Sequence, residues 1–186
     1  MNKCYVFIGP SGSGKTSLAE AVFSHQQKII TYTTRPPRVN EQDKIDYHFV
    51  SKETFEQMIK RQEFAEWDQY ADHYYGSSKQ EILAFLARGD CYTILTASGF
   101  WHLYETFGDC IQPIFITVSK KVLSERLRLR GDAPDKIQQR LTLFEKDQRE
   151  LEKLKNVSTL IIFENDRSLE IEAKYLKQAI REAEHR

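Results

Sequence analysis

Residues 9–16 read Gly9-Pro10-Ser11-Gly12-Ser13-Gly14-Lys15-Thr16, which satisfies the pattern GxxxxGK[ST] at every constrained position. Three glycines tolerate positive φ and carry no side chain, so successive backbone N–H groups can converge on phosphate oxygens. Lys15 would add a point charge at the β- and γ-phosphates, and the Thr16 hydroxyl is a ligand for Mg²⁺. Ser17 opens the segment that follows, whose amide end would face the anion if it is helical. A glycine-rich turn without a ligand is the plain alternative. What favours phosphate is context, because an apolar run precedes the loop and a helical pattern follows it. A second group with chemistry to offer is Arg35-Pro36-Pro37-Arg38. Two guanidinium forks in a proline-stiffened loop could grip one phosphate in bidentate fashion. Tyr47 and Tyr75 add hydroxyl donors. A third group is the run Arg126, Arg128, Arg130, with Arg140 beyond it. Arg126 and Arg130 lie one helical turn apart on a shared face. Arg128 points the other way and suits an exposed charged face.

The elements that must position these groups alternate. Cys4–Ile8 reads as a buried strand ending at the first glycine, and Lys15 to about His25 as a helix with Leu18, Ala21 and Val22 on one face. Ile29–Tyr32 and Tyr47–Val50 read as short strands around a proline-broken loop. Ser51 caps an amphipathic helix bearing Phe55, Met58 and Ile59. Phe64–Tyr70 and Tyr74–Tyr75 pair around a turn at Asp72. Helices follow over Ser78–Ala87, Ser119–Arg130, Pro134–Lys155 and Ser168–Glu184, and strands over Cys91–Thr96, Ile111–Val118 and Val157–Phe163. Strands separated by helix-length segments imply a parallel sheet with helices on both faces, a three-layer α/β fold. Residues 31–77 interrupt that rhythm as an insertion at the carboxyl edge of the sheet, where open α/β folds bind ligands.

The bulk numbers narrow the class. At 186 residues the chain suits one domain. Lys plus Arg and Asp plus Glu are 27 each, so the net charge is zero and no general attraction to nucleic acid or an anionic membrane is expected. Cys4, Cys91 and Cys110 are odd in number and widely spaced, which suits reduced thiols in the cytoplasm. The first apolar run spans five residues, too short for a signal peptide.

Taken in order, the phosphate loop, Thr31-Tyr-Thr-Thr-Arg35-Pro-Pro-Arg38, Asp46-Tyr47-His48-Phe49-Val50, Glu63-Phe64-Ala65-Glu66-Trp67 and His73-Tyr74-Tyr75-Gly76-Ser77 resemble the guanylate kinase family over nearly the whole chain. The resemblance implies phosphoryl transfer from ATP, with Mg²⁺, to GMP. It implies a P-loop kinase fold with a core (1–30, 78–124, 156–186), an acceptor-binding insertion (31–77) and a lid (125–155). Gly9 to Ser17 would bind ATP. Arg35, Arg38, Tyr47 and Tyr75 would hold the GMP phosphate, and Glu66 would read the base. A carboxylate accepts from N1–H and the exocyclic amine of guanine, whereas adenine offers a lone pair there; mismatches of this type support selectivity of order 10⁴. Thr31 and Ser77 would meet the carbonyl edge of the base. Arg130 would bind ATP phosphates and Arg140 would bridge to the acceptor, both catalytic, with Arg126 assisting. Asn165 and Asp166 would lie beside adenine, or else form a turn before the last helix. Asp46, His48, Phe49 and Trp67 are expected to be structural. Nucleotides are the expected partners, with the protein a monomer or homodimer.

One departure stands out. The family usually closes the strand after the acceptor region with two alternating aspartates and Gln-Gly, where this chain has Thr93-Ile-Leu-Thr96-Ala97-Ser98-Gly99. The missing acids imply weaker turnover or a modified acceptor, with Thr96 or Ser98 as neutral substitutes. Ribose bisphosphate phosphokinases are similar in loop and lid, but their acceptor has no base for Glu66 to read. Guanylate-kinase-like modules of scaffold proteins need no triphosphate site, so Lys15, Thr16, Arg130 and Arg140 speak against that role. Simple NTP hydrolysis would not need residues 35–75.

Overall fold

The computed structural model describes residues 1–70, 72–129 and 131–184; at residue 70 and residues 145–148 it describes the backbone alone. Four strands hydrogen-bond in the order β6-β1-β7-β8, namely Cys91–Ile94, Cys4–Ile8, Ile111–Thr117 and Ile161–Glu164. Every residue of β1, an unbroken apolar run, is buried, and so are the first six of β7, Gln112 included; both strands have neighbours on both edges. β7 and β8 run parallel, with Ile114 opposite Ile161 and Thr117 opposite Glu164. The fold is α/β, a parallel sheet flanked by helices.

Packing divides the chain into two compact units. The first comprises Met1–Tyr5, Gln26–Thr93 and Ser98–Ile111. Its own sheet has the order β3-β2-β5-β4: His48–Phe49, Tyr32–Thr33, His73–Ser78 and Phe64–Tyr70. Asp72, at φ 66°, turns β4 into β5. Helix α2 (Lys52–Lys60) is capped by Ser51, whose hydroxyl accepts from the Thr54 N–H. Its buried Phe55 and Met58 pack with Phe64 of β4, and Phe55 stacks on Tyr74 at 5.3 Å. That apolar base fixes the strands whose other residues carry the polar groups. Helix α3 (Lys79–Arg88) is capped by Ser78.

The second unit comprises Val6–His25, Ile94–Ala97 and Gln112–Arg186. It holds α1 (Lys15–Val22), α5 (Lys120–Leu129), α6 (Pro134–Leu154) and α7 (Leu169–Glu184). Leu123 and Leu127 of α5 pack with Ile137 and Phe144 of α6, so two charged helices share one apolar seam.

Several elements differ from expectation. A helix, α4 (Ala97–Phe107), occupies a stretch where the sequence reading placed none. The expected strand 29–32 splits: Ile29 donates its N–H to the Tyr92 carbonyl, and only Tyr32 and Thr33 join the second sheet. Helix α1 stops at Val22, and Ala19 rather than Ala21 is its second fully buried residue. Val157–Leu160 turn before β8 begins, because the Val157 and Leu160 N–H groups bond back to Leu154 and Val157.

Candidate active site

The loop after β1 takes its shape from its glycines. Gly9, Gly12 and Gly14 have φ of 141°, 88° and 84°. A Cβ on Gly9 would lie 2.2 Å from the backbone carbonyl oxygen of Ile116 in β7, so no other residue fits without moving the sheet. Gly14 caps α1 with no side-chain acceptor, which leaves the first amides of that helix directed outward. The Asn165 amide donates to the Ser13 carbonyl at 2.7 Å, and Arg126 reaches the same oxygen at 3.4 Å. Ser13 is fully buried, and its hydroxyl has no partner among the described residues.

Lys15 donates to the carbonyls of Gly9 and Pro10 at 2.6 and 2.7 Å. Thr16 and Ser17 are exposed. Arg140 of α6 donates to the Ser11 hydroxyl and lies 3.3 Å from the Asp132 carboxylate. Two expected lid arginines therefore touch the phosphate loop: Arg126 and Arg140. Arg130 lies outside the described residues. Asp166 accepts the Ser119 N–H at 2.8 Å, and Asn165 is 4% exposed. Those contacts tie Asn165 to the phosphate loop and Asp166 to the residue before α5.

Among the described residues no group of three or more His, Cys, Asp or Glu could hold a metal ion. Mg²⁺ keeps several waters and binds through phosphate oxygens and one or two protein oxygens. The exposed Thr16 hydroxyl fits that donor set.

The residues expected to meet the acceptor sit in the first unit. Arg35 lies over the Tyr47 ring at 5.4 Å, and Tyr47 meets Tyr75 edge-on at 6.2 Å. Burial, then the neighbouring Tyr75, push the Tyr47 phenol up. Tyr75 and Ser77 are two apart on β5 and so share a face. The Ser77 hydroxyl donates to Glu66 across the β4–β5 pair at 2.6 Å. Glu66 is 6% exposed, and burial pushes its carboxyl up to about 7 against the opposing effect of Ser77. Thr31 accepts the His48 N–H through its backbone. His48 stacks on Tyr32 at 4.3 Å and Trp67 packs on Tyr74 at 5.9 Å, the structural parts assigned to them.

One contact of Arg35 and Arg38 escaped the sequence reading. Glu41 bonds the Arg35 guanidinium at 2.9 Å and the Arg38 backbone N–H at 2.8 Å. The signal was present as an acid three residues after Arg38.

A glycine loop joining a buried strand to a helix within an α/β sheet defines the P-loop class of phosphate-binding proteins. By its sequence this chain belongs to the guanylate kinase family, whose family model matches residues 1–183. It is 39% identical over 131 residues to a guanylate kinase of Nitrosococcus oceani, covering 68% of this chain and 64% of that one. It is 37% identical over 150 residues to a guanylate kinase of Dechloromonas aromatica, covering 78% and 74%. The chain thus spans just under two thirds of the first relative's length. A crystal structure of guanylate kinase from Anaplasma phagocytophilum shares the fold, with TM-score 0.67 at 21% identity over 97% of this chain and 85% of that one.

Proposed function

We propose that this protein transfers the terminal phosphoryl group of ATP to GMP, giving ADP and GDP. The observation that carries the reading is the buried Glu66–Ser77 pair on the same strands as Tyr75, close to a cationic loop bearing Arg35 and Arg38. A bare phosphate sugar lacks the paired N1–H and exocyclic amine that a buried carboxylate accepts from in guanine. In the reaction an oxygen of the acceptor phosphate bonds to the γ-phosphorus as the bridge to the β-phosphate breaks; ADP leaves with that electron pair. Gly9 to Ser17 hold the donor, and Lys15 exchanges its carbonyl partners for phosphate oxygens. Arg35, Arg38, Tyr47 and Tyr75 hold the acceptor phosphate, and Glu66, Ser77 and Thr31 orient the base. Arg126, Arg130 and Arg140 spread cationic charge over the group in transit, where positioning and electrostatics provide most of the rate. The Thr16 hydroxyl would hold Mg²⁺ together with phosphate oxygens and water, and the ion would supply charge neutralisation on the donor.

The three free thiols and the family's nucleotide substrates favour the cytoplasm. No helix among the described residues is long and apolar enough to cross a membrane.

The second reading is a ribose 1,5-bisphosphate acceptor, favoured by the absence of acids over residues 93–99. A coupled ADP-release assay with GMP, dGMP, AMP and ribose 1,5-bisphosphate decides between them. GMP is expected to give the highest kcat/KM, and Lys15→Ala to abolish transfer to any acceptor. Preference for the sugar bisphosphate would overturn the GMP reading, and undiminished turnover in Lys15→Ala would overturn the kinase reading.

A further inference from the structure

We propose that Glu41 is a positioning residue for the acceptor phosphate, bracing the Arg35–Arg38 loop so that both arginines face one anion. The inference rests on the acceptor reading above.

Arg35 and Arg38 are two like charges three residues apart, and they repel. Pro36 and Pro37 remove two N–H donors from the loop, so backbone hydrogen bonds within it are scarce. Glu41 replaces them. Its Oε1 accepts from Arg35 Nη2 at 2.9 Å, and its Oε2 accepts from the Arg38 N–H at 2.8 Å. The Glu41 N–H in turn bonds the Arg38 carbonyl at 3.1 Å, closing the 38–41 turn on itself. One carboxylate thereby ties the side chain of the first arginine to the backbone of the second. The Arg35 bond, first among the causes, draws the Glu41 carboxyl below its ordinary range, so the brace is charged at neutral pH.

The remaining contacts of Arg35 complete its aim. Its Nη1 donates to the Pro36 carbonyl at 2.8 Å, its backbone N–H to the Thr33 hydroxyl at 3.1 Å, and its plane lies over Tyr47 and Phe49. Tyr75 is a further hydrogen-bond neighbour of the fork. The Arg38 guanidinium has no hydrogen bond or ion pair to another described residue. Two arginines and one carboxylate leave a net charge of +1, still attractive to a phosphate dianion. A carboxylate placed to compete with substrate would engage both guanidinium groups; this one spends an oxygen on a backbone amide.

The test compares wild type, Glu41→Gln and Glu41→Ala by steady-state kinetics, thermal melting and calorimetric titration with GMP and with ribose 1,5-bisphosphate. Loss of a charge-assisted brace is expected to raise the acceptor KM about tenfold in Glu41→Ala and about threefold in Glu41→Gln, which keeps one carbonyl acceptor. The kcat and the KM for ATP are expected to stay within about twofold, since neither depends on ground-state acceptor binding. An acceptor KM that is unchanged or lowered in both variants would overturn the proposal while leaving the GMP reading intact. Equal loss in kcat, ATP KM and melting temperature would mark a merely structural residue and also overturn it. If wild type binds neither acceptor, the acceptor reading itself fails and the brace fails with it.

Discussion

Glu66 holds its place in the site at a thermodynamic cost that pH exposes. Its folded pKa of about 7 lies above the ordinary 4.5, chiefly through burial; the groups facing it are the Ser77 hydroxyl and the Asp68 carboxylate, which raises it further. A group whose pKa rises on folding supports the fold while protonated and withdraws that support as pH climbs. Stability is therefore expected to fall between about pH 4.5 and 7, by up to about 3 kcal/mol. The proposed recognition of guanine runs the opposite way, because accepting two N–H groups requires the ionised form. The kcat/KM for GMP is expected to drop about tenfold per pH unit below 7 and to level off above it. Denaturant titrations at pH 5 and pH 8 check the first statement, with Glu66→Gln losing the difference; a pH–rate profile checks the second. Glu66→Gln should also lose the preference for GMP over AMP. A flat stability profile, or a rate unaffected between pH 6 and 8, would contradict the assignment.

At the scale of elements, the phosphate loop was fully legible in the sequence because glycine spacing there encodes backbone geometry directly. Gly9 shows how strictly. Its φ of 141° and the Ile116 carbonyl 2.2 Å from a notional Cβ mean that Gly9→Ala must displace a core strand. A loss of about 3 kcal/mol is expected, or roughly 10 °C in melting temperature. Gly89→Ala, with nothing within 4 Å and an extended φ of 163°, should shift it by no more than about 2 °C. Equal shifts in both would refute the steric account. Helix α4 was not legible in the same way. Ala97–Phe107 is rich in aromatic, Gly and Thr residues that rank low in helix propensity, so the segment resembled a loop. Burial overrides propensity here: Phe100 and Leu103 are fully buried, and Phe100 stacks on Tyr104 one turn on. The spacing of 100, 103, 104 and 107 was the overlooked signal. Glu41 was missed for another reason, since a surface acid in a polar loop gains meaning only when the turn folds it back onto Arg35.

For the whole molecule, the residues proposed to bind donor and acceptor fall in different compact units, the phosphate loop in one and Arg35 to Ser77 in the other. Each ligand is therefore expected to stabilise the protein on its own. At a hundred times its dissociation constant, a ligand adds about 2.7 kcal/mol, or roughly 5–10 °C in melting temperature for a chain of this size. GMP should lose that shift in Arg35→Ala and keep it in Lys15→Ala. A non-hydrolysable ATP analogue with Mg²⁺ should do the reverse. If either mutation erased both shifts, the division of labour between the two sets of residues would be wrong.

The lysine that bonds the Gly9 and Pro10 carbonyls sets an entry condition for anions. Each of those charge-assisted bonds is worth about 1.5–3 kcal/mol, and any arriving oxyanion must outbid both to recruit the ammonium. A monoanion such as chloride offers one weak contact, whereas a polyphosphate chain could engage the ammonium and the row of amides together. Common cellular monoanions are therefore expected to be poor inhibitors, and inhibition by millimolar chloride as strong as that by tripolyphosphate would contradict this account.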